Sequence, residues 1–150
     1  MIKSYVNENN LTFWKEGYNW HSLPIKSPID IKVATIFTLK NVAIKYNHFM
    51  AGVIAQTDLH ALTPMPWKTQ AVICYESCNN NEGSWIRHGE GFALPVKDVK
   101  VGSILSVVVR DGSIEFWIDK EFQGRTDIPL SMLQKPLLPY IATFCSGDAF

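Results

Sequence analysis

Residues 103–124 read Ser-Ile-Leu-Ser-Val-Val-Val-Arg-Asp-Gly-Ser-Ile-Glu-Phe-Trp-Ile-Asp-Lys-Glu-Phe-Gln-Gly. Side chains of an extended chain alternate between its two faces. In the first half Ile104, Ser106, Val108 and Arg110 share one side, and Leu105, Val107 and Val109 the other. Its middle is apolar on both sides, as in a strand covered on both faces. In the second half Ile114, Phe116 and Ile118 form one apolar face opposite Ser113, Glu115, Trp117 and Asp119. Between the halves stands Asp111-Gly112, a dipeptide suited to a tight primed turn in which both central residues need positive φ. A second turn signal, Asp119-Lys120-Glu121, precedes Phe122 and Gly124. The stretch predicts a three-stranded antiparallel meander.

The same grammar extends outward. Ile31–Leu39 alternates and predicts a strand; Val42–Tyr46 reads as a strand or a connecting turn. Phe49–Ala55 is a short apolar run with a small centre at Ala51-Gly52, and Ala71–Tyr75, Ser84–His88 and Pro139–Cys145 read as further strands. Asp58–Trp67 is a loop, because Pro64 and Pro66 lack ladder donors. Asn79–Gly83 is a turn, Gly89 and Gly91 end the strand before them, and Pro129–Leu133 suits one helical turn. Residues 1–30 are polar and turn-rich, but carry Phe13, Trp14, Tyr18 and Trp20; they read as an irregular, aromatic-rich N-terminal segment of one domain spanning 1–150. Short strands between frequent turn signals predict an all-β sandwich or barrel with little helix.

Composition narrows the function. The 150 residues suit one domain with a real core, and 47% are hydrophobic against 19% charged. Lys+Arg and Asp+Glu are equal at 14 each, so the net charge is zero. A duplex nucleic-acid binder uses a cationic surface to displace counterions, and an acidic membrane attracts one; neither partner is expected. The first ten residues carry no apolar run and no segment approaches membrane-spanning length. Three cysteines, Cys74, Cys78 and Cys145, are an odd number, read as reduced thiols of a cytoplasmic protein.

Several of these stretches resemble the SPRY family. Val101-Gly102-Ser103-Ile104, Val107-Val108-Val109, Asp111–Ile118 and Gly124 are similar to its signature pair of strands. Phe49–Ala55 resembles its "Val-Gly-Val-Ala" strand, Gly83–Gly89 its mid-domain aromatic-His-Gly turn, and Leu138–Phe144 with Ser146-Gly147-Asp148 its closing strand and turn. The resemblance covers about residues 49–148. The family's "Tyr-Tyr-Trp-Glu-Val" strand is not visible; Ile31–Leu39 takes its place. Most members also have one more C-terminal strand, a place for an N-terminal strand or a partner chain to fill. The resemblance implies a bent antiparallel two-sheet sandwich of the concanavalin type. It further implies binding of a protein or peptide through loops at one end, without catalysis, often within a larger assembly. No RING finger, SOCS box or coiled coil accompanies it.

The chemistry-bearing residues add no catalytic or metal signature to that expectation. Cys74-x3-Cys78 with His48, His60, His88 and Cys145 lacks the closer paired spacing of structural zinc sites, so no metal and no cofactor are expected. Cys, His and Asp are present, but a triad is defined by geometry and no Gly-x-Ser-x-Gly elbow occurs. A glycosidase pair would have to come from Asp58, Glu76, Glu90 or Asp111. Asn79–Asn81 beside Trp85 suggests the alternative of a lectin-like carbohydrate site, against the simpler reading of a solvated turn. His88 reads as a turn-stabilising hydrogen-bonder. Large amphipathic side chains and Arg dominate binding interfaces, so the expected partner-binding set is Trp67, Tyr75 and Trp85 as anchors with Asp58, His60, Glu76 and Arg87 for register.

Overall fold

The computed structural model describes residues 2–7, 10–15, 21–24, 29, 35–40, 49–56, 69–77, 83–89 and 91–143. Among these residues twelve strands and one helical turn follow one another: β1 Ile2–Asn7, β2 Asn10–Lys15, β3 His21–Pro24, β4 Thr35–Lys40, β5 Phe49–Ala55, β6 Val72–Ser77, β7 Ser84–His88, β8 Phe92–Val96, β9 Ile104–Arg110, β10 Ser113–Ile118, β11 Glu121–Asp127, α1 Leu130–Leu133 and β12 Leu137–Thr143. All pairings are antiparallel. A four-stranded sheet runs β11-β10-β9-β4 and a six-stranded sheet β3-β12-β5-β6-β7-β8, with β1-β2 a separate hairpin.

The meander forms as read. Asp111 and Gly112 have φ of 51° and 70°, and Asp119 and Lys120 of 49° and 67°. Both loops therefore use the left-handed conformations that match the twist of paired strands. Asp119 also locks the meander's far end: its carboxylate accepts the Ile104 N–H at 2.9 Å, while its own N–H donates to the Ile104 carbonyl at 2.9 Å.

The core lies between the two sheets. Leu105, Val107, Val109, Ile114, Phe116 and Ile118 from one meet Phe49, Ala51, Val53, Ile73, Tyr75, Ile86 and Ile141 from the other. Burying a large apolar side chain contributes about 1.5–3 kcal/mol relative to exposure, and Phe49, Phe116, Ile73, Ile86 and Ile114 are all fully buried. Tyr75 adds a clasp inside this core. Its hydroxyl donates to the Lys97 carbonyl at 3.0 Å and accepts the Val99 N–H at 2.9 Å, fixing the segment that crosses from β8 to β9.

Burial pushes the Tyr75 phenol up to about 12 from an ordinary 10.0, the Ser84 and Val99 hydrogen bonds opposing the shift. The folded state therefore releases that proton later than the unfolded chain. Its contribution is intact below about pH 10 and is lost at roughly 1.4 kcal/mol per pH unit up to about pH 12. Tyr75→Phe is expected to remove that component of the alkaline stability loss. It also leaves the buried Val99 N–H unpaired, at a cost of about 1–3 kcal/mol. Urea melts of both proteins at pH 8, 10 and 11.5 check this.

The outer face of the six-stranded sheet is also covered over its central strands. Met50, Ile54, Val72, Cys74, Tyr140 and Ala142 form a second buried cluster there. β5 is thus buried along its whole length, as its uninterrupted apolar sequence requires.

Two readings are corrected and a third holds over its described part. In the N-terminal segment the described residues 2–7, 10–15 and 21–24 are strands rather than irregular chain. Asn7 pairs with Asn10 and Ile2 with Lys15 in the β1-β2 hairpin, and β3 pairs with β12, so a strand from the N-terminal part occupies that edge of the six-stranded sheet. The strand expected at Ile31–Leu39 is present over its described part as Thr35–Lys40, beside β9; residues 31–34 lie outside the described ones. β8, unread in the sequence, pairs with β7; Pro95 masked it, and as an edge strand β8 tolerates a residue without an N–H. The readings at Val42–Tyr46, Asp58–Trp67 and Asn79–Asn81 lie outside the described residues.

Candidate functional site

The seven expected partner-binding residues do not form one group. Asp58, His60 and Trp67 lie outside the described residues. Tyr75 is fully buried in the core, which overturns its reading as an anchor: its position in β6 points it inward between the sheets. Glu76, its neighbour, points outward but is only 4% exposed, so it offers little surface of its own.

Glu76, Trp85 and Arg87 do come together. Glu76 sits opposite Trp85 in the β6-β7 ladder, and Arg87 opposite Cys74, so all three share the outer face of the six-stranded sheet. The Arg87 Nε is ion-paired with Glu76 Oε2. The guanidinium carbon lies 5.2 Å from the Trp85 ring centroid, a cation–π distance. Glu76 therefore acts beneath the surface, holding Arg87 over the indole. Arg87 keeps a quarter of its side chain exposed.

The next strand continues this surface. Pro95 lies opposite Trp85 and Ala93 opposite Arg87, and both are exposed. Trp85, Pro95, Arg87 and Ala93 thus make an open strip at the margin of a face whose central strands are buried. Gly83, with φ of 91°, makes the turn into β7, and a side chain there would meet only the Trp85 ring at 3.7 Å. His88 is occupied structurally: its Nε2–H donates to the Gln70 carbonyl at 2.8 Å, as the sequence reading expected.

Two features of the four-stranded sheet were not singled out as binding residues. Phe122, 51% exposed, packs edge-on against Trp117 at a centroid distance of 5.3 Å, with Ile104 exposed nearby on the same face. Glu115, 4% exposed, receives a fork from Arg110, Nε to Oε2 at 2.6 Å and Nη2 to Oε1 at 3.0 Å. That hydrogen-bonded pairing raises the Arg110 pKa further. Arg125 donates to Ser113, which donates to Asp127. Each of these charged groups is hydrogen-bonded within the sheet. Among the described residues no group of three His, Cys, Asp or Glu side chains converges as a metal site would. No described helix is long and apolar enough to cross a membrane.

No protein-family model matches the chain, and no curated protein matches it. Solved structures do share its architecture. A human SPRY domain superposes with a TM-score of 0.68 at 13% identity, over 99% of this chain and 94% of that one. The carbohydrate recognition domain of Emp46p superposes with a TM-score of 0.61 at 13% identity, over 100% of this chain and 82% of that one. Likeness at such low identity concerns the path of the chain, and that path agrees with the one expected from the strand signatures at 49–55, 83–89 and 101–124. The protein folds as an SPRY-type, concanavalin-like antiparallel β-sandwich.

Proposed function

We propose that this chain is a single, non-catalytic recognition domain that binds a protein or peptide, and that the Trp85–Arg87–Ala93–Pro95 strip is the surface it uses. One observation carries the reading: a buried carboxylate, Glu76, holds a partly exposed arginine over a partly exposed tryptophan. Tryptophan and arginine dominate binding energy at interfaces, and a preordered pair loses little conformational freedom when a partner arrives. The expected loop residues Asp58, His60 and Trp67 remain part of the proposal. The described ends of their segment, Gln56 and Thr69, lie at the end of the sheet away from the β6-β7 turn, where the Ala55 N–H donates to the Ala71 carbonyl. Zero net charge supports a protein partner over a nucleic acid or an anionic membrane. The proposed setting is the cytoplasm, within a larger assembly.

A carbohydrate ligand is the second reading, prompted by the shared fold of the Emp46p recognition domain. Sugars stack on open aromatic faces, and here Arg87 lies over the Trp85 ring, which favours the protein partner. A pull-down from native extract with wild type, Trp85→Ala and Phe122→Ala tests the assignment. Trp85→Ala is expected to lower recovery of the specific partner at least tenfold, while Phe122→Ala retains it. Equal recovery with Trp85→Ala removes the strip from the site. Selective binding on a glycan array, lost in Trp85→Ala, replaces the protein reading with the carbohydrate one.

A further inference from the structure

The strip borders a feature that its side chains do not explain. Among the described residues β8 is bonded on one side only, to β7. Its residues Phe92, Ala93, Leu94 and Pro95 are all exposed, Phe92 and Leu94 at 37% each. On the other sheet β11 is likewise an edge. The two edges are joined at one end, where the Lys97 N–H donates to Gln123 Oε1 at 3.1 Å and the Lys97 ammonium meets Glu121 at 3.3 Å. Further along, the absence of a side chain on Gly124 lets Ile86 and Leu94 close in; a Cβ there would lie 2.7 and 2.8 Å from their methyl carbons.

Backbone polarity along β8 follows from Pro95. Alternate residues of an antiparallel strand turn their N–H and C=O toward opposite neighbours. Proline has no N–H to give β7, so it belongs among the residues that turn away. Lys97, two residues on, does turn away, since its N–H reaches Gln123 on β11. Ala93 shares that direction. The free edge therefore offers the N–H and C=O of Ala93 and the C=O of Pro95.

Resting on the recognition reading above, we propose that the partner contributes an extended segment that adds to β8 as a further strand. Alternate apolar residues of that segment settle against Phe92 and Leu94, and an acidic residue on the opposite side reaches Arg87. An added strand would run about 10 Å from β7, two strand spacings, with only the small Ala93 side chain between it and Arg87. A carboxylate there complements the part of Arg87 that Glu76 leaves exposed. A second copy of the chain fits less well. Self-pairing over the whole of β8, centred on Leu94, places Pro95 opposite Ala93 and leaves the Ala93 carbonyl without a donor; a foreign strand supplies one.

The test is selection of random dodecapeptides displayed on phage against the full chain, followed by anisotropy measurements on the synthetic winners. The expected winners alternate apolar residues with others and carry an acidic residue on the non-apolar side. Ala93→Pro removes the edge's remaining donor without touching the ladder to β7, and is expected to weaken binding at least tenfold. Should Ala93→Pro fail to fold, N-methylation of alternate peptide residues decides instead: methylation in one parity abolishes binding and in the other spares it. Winners that bind wild type and a folded Ala93→Pro equally, tolerance of methylation in both parities, or no enriched peptide overturn the proposal. So does a dimer that Ala93→Pro dissociates, which makes the second copy the occupant. If native partner recovery falls with Trp85→Ala but not with Ala93→Pro, the recognition reading stands and strand addition falls.

Discussion

Gly52→Ala is expected to destabilise the sandwich by about 3 kcal/mol or more. Gly52 lies in β5 between Tyr140 of β12 and Cys74 of β6. An added Cβ would overlap the Ile73 carbonyl oxygen and lie 2.6 Å from the Cys74 Cα and 2.9 Å from the Ile73 carbonyl carbon. These are backbone atoms of the adjacent strand, so no side-chain rotation relieves the clash; the β5-β6 ladder itself must part. Overpacking a core costs about 1–3 kcal/mol when side chains can give way, and a backbone clash at the centre of the larger sheet belongs at or above that upper figure. For a chain of this size, 3 kcal/mol corresponds to a fall in Tm of roughly 10 °C. Thermal unfolding followed by circular dichroism measures it. A Tm within about 2 °C of wild type would mean that β5 and β6 do not approach as described.

Arg87→Ala is expected to cost about 3 kcal/mol, because removing one member of a buried pair takes away an opposite charge that offsets the burial of the other. Here the carboxylate left behind is Glu76, with 5% of its side chain exposed. Glu76→Gln in the Arg87→Ala background removes the buried charge and is expected to recover part of the loss. Arg87→Lys keeps a cation but not the planar fork that spans carboxylate and indole, and should fall between wild type and Arg87→Ala. Wild type, Arg87→Ala, Glu76→Gln and the double variant, unfolded in urea, give the coupling energy directly. Coupling below about 0.5 kcal/mol would show that Glu76 does not position Arg87.

How far the sequence could be read follows from where each signal is written. Asp111-Gly112 and the alternation on either side of it are local, and local chemistry decided the meander. The same holds for Phe49–Ala55, Ser84–His88 and the helical turn after Pro129. β8 was missed because its edge position, which makes Pro95 acceptable, depends on which strand lies beside it. β1 and β2 were missed because aromatic and polar residues alternate there without a turn signal as plain as Asp-Gly, although Leu11 and Phe13 against Thr12 and Trp14 carry the period of two. Among the site residues, Trp85 and Arg87 were legible as large amphipathic groups. The inward direction of Tyr75 was legible too, from its parity with Ile73. The partial sealing of Glu76 was not, since it depends on Arg87 one strand away.

The central claim is that recognition occurs at the margin of the six-stranded sheet, on β7 and β8. Backbone amide shifts recorded while the captured partner is titrated into labelled protein test it most directly. The account predicts that the largest changes fall within residues 84–88 and 91–96. Changes confined to the 97–103 and 119–120 turns, or to the Trp117–Phe122 face of the other sheet, would contradict it.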